Sequence, residues 1–137
     1  MRPPGVTAIS LFFVFGALAS GLSAISLLTP GGFLEPMWRV NPRGHAGLAA
    51  IGGWAVLLMV FVCIACVWAA AGLWRGRPSG WWVAAGMVGL NMIGDLVNGI
   101  VADARTLFGV PIALALLVYL ASPRPRAFCG VDRRHAR

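Results

Sequence analysis

The sequence predicts an all-α integral membrane protein, a compact bundle of four transmembrane helices whose fourth helix is kinked near Pro111. Three observations lead there. Of 137 residues, 59% are hydrophobic and only 11% are charged, whereas a soluble domain of this length carries about 25% charged residues. The apolar residues fall into four long runs, and the charges gather in the connections and the C-terminal tail. Too few charged positions are left to cover a water-exposed surface, and membrane solvation removes that conflict.

The first segment, residues 6–28, is long enough at about 1.5 Å per residue to cross a hydrocarbon core of roughly 30 Å. Its start also fits a cleaved signal peptide: Arg2, the apolar run 6–16 and the small-x-small set Ala17-Leu18-Ala19. The apolar pattern continues through Leu22, Ile25, Leu27 and Leu28 before Pro30, however, and a signal has no need of that continuation. A retained helix is therefore expected; cleavage would leave three.

Residues 29–45 form a cap loop. Phe33, Leu34, Met37 and Trp38 are apolar enough to settle into the headgroup boundary, while Gly31, Gly32, Pro36 and Pro42 argue against one regular amphipathic helix. The second and third spans are expected at about 46–73 and 81–101. The fourth, 104–121, contains Pro111. Proline is easiest in a first helical turn and bends a helix further in, so a helix capped by Asp103 should bend near Pro111. Residues 123–137 make a basic tail.

Four crossings put both termini on one side, together with Arg2, Arg75, Arg77, Arg124, Arg126, Arg133, Arg134 and Arg137; only Arg39, Arg43 and Arg105 fall opposite. Basic flanks favour the cytoplasm, so the expectation is a multi-pass protein of a bacterial-type inner (plasma) membrane with both ends cytoplasmic. The net charge of +7 suits a basic edge beside anionic headgroups. No helix or aromatic platform presents these arginines to bases, which speaks against nucleic acid.

The main candidate site lies in the third span. Asn91 and Asn98 stand four residues before and three after Asp95, so a helix places the three on roughly one face. A lipid-facing carboxylate is costly, and this face should point into a bundle or a wet cavity. Asp95 could act there as a general acid or base, with Asn91 and Asn98 orienting a hydroxyl, carbonyl or water. The third span enters from the cytoplasm, so Asp95 falls past its midpoint, and the noncytoplasmic side it approaches also receives Glu35, Arg39, Arg43, His45, Asp103 and Arg105. The arginines could take a lipid phosphate, and His45 could serve as a base. Blander roles compete with each: Asp95 locking a helix hairpin, the asparagines packing between helices, Glu35 pairing with Arg39 at i,i+4, and Asp103 as a helix cap.

Other features read as packing. Gly16, Ser20 and Ala24 repeat every four positions in the first span, and Gly86 and Gly94 form a looser set in the third. Cys63 and Cys66 form a C-x-x-C pattern inside an apolar run, where thiolates are disfavoured. Trp68, Trp74, Trp81 and Trp82 flank one connection as interfacial anchors. No zinc spacing, nucleotide loop or nucleophile elbow is present, so neither metal nor cofactor is expected. Three functions stay open. The first is a small accessory or lipid- or amphiphile-binding protein with a polar pocket opening to the noncytoplasmic side. The second is a membrane-embedded enzyme using Asp95 on a lipid or isoprenoid. The third is a proton-coupled transporter acting as an oligomer. Expected partners are membrane lipids or an amphiphilic ligand, and a second copy or a partner membrane helix.

Overall fold

Proline opens most of the helices of this chain. In a first turn it forfeits no intrahelical hydrogen bond, and Pro4, Pro42, Pro78 and Pro123 each begin one. The structure, a computed structural model, describes residues 1–101 and 104–131. Its elements are α1 (Pro4–Leu28), a 3-10 turn (Glu35–Arg39), α2 (Pro42–Ala50), α3 (Gly53–Trp74), α4 (Pro78–Val101), a second 3-10 turn (Ala104–Phe108), α5 (Gly109–Ala121) and α6 (Pro123–Phe128). Four stretches are long and apolar enough to cross a membrane: Pro4–Leu28, Gly53–Trp74, Pro78–Val101 and Ala104–Ala121. They pack as a bundle, and much of their apolar surface, including Leu11, Phe15, Phe61, Leu90 and Val118, faces outward. This is the surface hydrocarbon would solvate.

The boundaries differ from the sequence-based expectation in three places, each for a local reason. The second apolar segment is divided, because Gly52 adopts φ 59° between α2 and α3, a conformation that side-chain-bearing residues avoid. The expected loop 29–45 already contains the start of α2: Asn41 caps it, its side-chain oxygen accepting from the Gly44 N–H at 2.9 Å, and Pro42 takes the first helical position. The fourth span begins as a 3-10 turn and becomes α-helical at Gly109, which leaves Pro111 in the first turn of α5, where proline costs no hydrogen bond and no bend is required.

The helices pack in chain order, α1 on α3, α3 on α4 and α4 on α5. The α1–α3 seam uses the small residues expected to serve it. Ser20 and Ala24 are buried, a Cβ added at Gly16 would lie 3.3 Å from the Cys66 sulfur, and Cys63 Sγ donates to the Ala17 carbonyl at 3.3 Å. Gly86 and Gly94, by contrast, have nothing within 4 Å of where a Cβ would stand, so among the described residues the small face of α4 packs against no other helix. At the α3–α4 turn the helices approach so closely that the backbones of Gly72 and Gly80 touch. The turn is a Schellman motif: Gly76 at φ 63°, its N–H bonded to Leu73 O at 3.1 Å, and the Arg77 N–H bonded to Gly72 O at 2.8 Å.

The start of α1 and the end of α5 share one end of the bundle, where the Tyr119 ring lies against Gly5. The buried core concentrates there. It takes Val6, Ile9, Phe13 and Ala17 from α1, Cys66, Ala69 and Leu73 from α3, Trp81, Ala84 and Val88 from α4, and Ala113 and Leu120 from α5. Trp81 Nε1 donates to Leu120 O at 2.9 Å, tying the start of α4 to the end of α5. The segment after α5 does not simply leave: α6 turns back so that Pro125, Cys129 and Val131 are buried against this end. In α4 the last buried residue is Val88. The bundle is thus tight at its terminal end and loose toward the far end of the α4–α5 hairpin.

Candidate functional site

The loose half of the bundle holds the polar group of α4. Asn91 Nδ2 donates to Asp95 Oδ2 at 3.0 Å, the i,i+4 pairing expected of an α-helix. Across the hairpin, the Thr106 hydroxyl donates to the Asp95 backbone carbonyl at 3.0 Å. The Asp95 carboxylate itself lies directly against Gly109, where any side chain would meet it. Gly99 has the matching role a turn further along, letting the Leu107 side chain close over α4. Small residues at these two positions let the hairpin shut around a partly buried carboxyl.

Asn91 also lines a cleft of about 260 Å³ at which all four spanning helices meet. Phe13 and Gly16 come from α1, Val62 and Cys66 from α3, Val88 from α4, and Ala113 from α5. Among the described residues that line it, Asn91 carries the one strongly polar side chain. Among the described residues, α1 and α5 share no extensive backbone packing, although both contribute side chains to the cleft.

The cap end carries a second, separate group. Trp38 is buried and donates from Nε1 to the Ser26 hydroxyl at 2.9 Å, which docks the connection onto the end of α1. His45 stacks on Trp38 with ring centroids 4.6 Å apart and planes 16° from parallel. Glu35 Oε2 accepts from the Gly31 N–H at 3.3 Å, closing the turn in which Gly31 has φ 74°. Cavities here are lined by Glu35 and His45, one of them also by Arg39.

The residues singled out in the sequence therefore fall into two sets. Asn91 and Asp95 come together; Glu35, Arg39 and His45 come together elsewhere. None of Glu35, Arg39, Arg43 or His45 lines the cleft that holds Asn91, and neither cap cavity contains Asn91, Asp95 or Asn98. Asn98 and Arg43 are exposed, as is Arg105 in the second 3-10 turn. Asp103 lies outside the described residues. Thr106, Gly109 and Ser26 escaped the sequence reading, because a hydroxyl or a glycine in an apolar run carries no mark of the helix it will face. Among the described residues, no group of three or more His, Cys, Asp or Glu side chains could hold a metal.

Compared with protein-family models, curated proteins and solved structures, the chain matches none. Fold and composition define a small polytopic membrane protein, and any finer reading has to come from the geometry of its cleft.

Proposed function

We propose that this protein is an accessory protein that binds the hydrocarbon chain of an amphiphile in this cleft, with Asn91 addressing a hydroxyl or carbonyl on the ligand. One observation carries this reading: four spanning helices converge on a space whose described lining is apolar except for Asn91. An asparagine side chain has two N–H donors and a carbonyl acceptor, and the bond to Asp95 uses one donor. The other donor and the carbonyl suit a neutral polar group. Size narrows the ligand class. At about 260 Å³ the cleft falls below the roughly 300–1,000 Å³ of sites for drug-sized molecules, so a slim alkyl or isoprenoid chain fits better than a ring system.

Proton transfer at Asp95 gains no comparable support: its carboxylate is closed over by Gly109 and bonded to Asn91, and His45 stands apart from it, stacked on Trp38 at the cap. The arginine bias supports a cytoplasmic terminal end in a bacterial-type plasma membrane, and in that orientation the polar end of the cleft faces away from the cytoplasm.

The test is photolabelling of the purified, reconstituted chain with a long-chain alcohol bearing a photoreactive alkyl tail. Label should map to cleft residues such as Val88 and Ala113. Ala113→Phe should exclude the probe, and Asn91→Leu should weaken labelling by about fivefold, the value of one hydrogen bond near 1 kcal/mol. Unchanged labelling in both variants would reject the proposal.

A further inference from the structure

Two shallow grooves run side by side along the outer flank of α3. One, of about 440 Å³, is shared with α1; the other, of about 330 Å³, ends beneath the α3–α4 turn. Cys63, Val67 and Ala71 line both. Spaced by four, these residues make one continuous ridge, so the grooves flank a single strip of helix. From Cys63 to Trp74 the strip is about 16 Å long at 1.5 Å per residue, close to half of a roughly 30 Å hydrocarbon core. It therefore spans the depth of one leaflet.

Both grooves end in positive charge. The first closes at Trp74, whose ring carries the Arg2 guanidinium 3.6 Å from its centroid. Arg2 Nε is buried there with no hydrogen-bond partner among the described residues. The second ends at Arg75, Arg77 and Ser79. The Schellman turn fixes the backbone that carries Arg75 and Arg77, and the first turn of α4 adds amide donors with no intrahelical acceptor. Trp74 and Arg75 are adjacent in sequence, so the two basic ends belong to one locus at the membrane boundary.

We propose that this strip binds one anionic diacyl phospholipid, its two acyl chains lying in the two grooves and its phosphate held by Arg2, Arg75 and Arg77. Charge complementarity selects the headgroup, because arginine pairs with phosphate oxygens in bidentate fashion and, among the described residues, no carboxylate lines either groove to receive a quaternary amine. The paired grooves select two chains over one. This site is distinct from the cleft at Asn91, with which the two grooves share no lining residue.

The full chain is reconstituted in vesicles of equal amounts of phosphatidylglycerol and phosphatidylcholine, extracted in mild detergent and weighed by native mass spectrometry. One retained phospholipid per chain is expected, with phosphatidylglycerol enriched roughly fivefold or more over the bulk ratio, the effect of a basic side chain at an anionic surface. The double substitution R75Q/R77Q, at exposed positions, should return the ratio to bulk. Val67→Trp should displace lipid of both kinds, with circular dichroism reporting whether that variant is folded. Asn91→Leu should leave the enrichment unchanged, which separates this site from the cleft. Retention at the bulk ratio by the unmodified chain, or enrichment that survives R75Q/R77Q, overturns the proposal. So does a lipid-free dimer whose interface protects this strip, which would give the face to a second copy.

Discussion

At the residue scale the informative pair is Asp95 and Gly109. In an unobstructed helix, glycine to alanine gains roughly 0.5–1 kcal/mol. Here a methyl group at position 109 would collide with the Asp95 carboxylate, and overpacking of this kind costs about 1–3 kcal/mol. Gly109→Ala should therefore destabilise the chain against its propensity, and the loss should largely vanish when Asp95→Ala is added. Unfolding in graded denaturing detergent, run as a double-mutant cycle, measures both; an additive cycle would contradict the contact. Trp81 offers a second single-residue case. Trp81→Phe keeps most of the apolar bulk and removes the bond to Leu120 O, so a loss of about 1 kcal/mol is expected in the same assay. That Asn91 and Asp95 share a helix face is legible in the sequence because i,i+4 spacing is a local property; the bond between them is a finding of the structure. Thr106 and Gly109 are not legible there, since their roles exist only once α5 has turned back on α4.

At the element scale, two junctions carry the terminal end. Gly76 holds φ 63° in the turn between α3 and α4, and a side chain in that conformation costs roughly 1–2 kcal/mol. Gly76→Ala should be destabilising by at least that amount, since its Cβ would also press on the Phe128 carbonyl, while leaving the ends of α3 and α4 helical. The second junction is α6. Cys129 is fully buried, and burial pushes its thiol above the ordinary thiol range. The protonated thiol is thus favoured in the folded state. Its contribution is complete below the unfolded thiol's pKa and is lost as pH rises through the raised folded value. Docking of α6 should accordingly loosen on the alkaline side, seen as maleimide labelling of Cys129 that accelerates more steeply with pH than for a free thiol. Cys129→Ala should flatten the alkaline loss of stability. The sequence read 123–137 as a plain basic tail because a short stretch opened and interrupted by proline carries no periodicity strong enough to announce a docked helix.

On the scale of the whole molecule, the bundle is tight where the chain enters and loose where Asp95 sits. The orientation proposed from the arginine bias makes a direct prediction about sidedness. In a variant with Cys63, Cys66 and Cys129 replaced by alanine and produced in a bacterial plasma membrane, Arg39→Cys should react with an impermeant maleimide on intact cells. Ser79→Cys should react only after the membrane is breached. The reverse pattern would overturn the orientation drawn from the arginines. The division into two polar groups, one at Asp95 and one at Trp38–His45, is also a property at this scale. It arises because the connection docks on the end of α1 through Ser26, not over the α4–α5 hairpin.

The sequence by itself determined that four segments prefer hydrocarbon, and it marked Asp95 as the residue needing shelter. Transfer from water to lipid is a sum over a segment's own side chains, so it can be computed without knowing any neighbour. Which groups meet was decided only by the tertiary structure. The closeness of Gly109 to Asp95, the cleft behind Asn91 and the return of α6 depend on how each helix is rotated and raised against the next. Those degrees of freedom are governed by packing across helices, and no local run of residues encodes them.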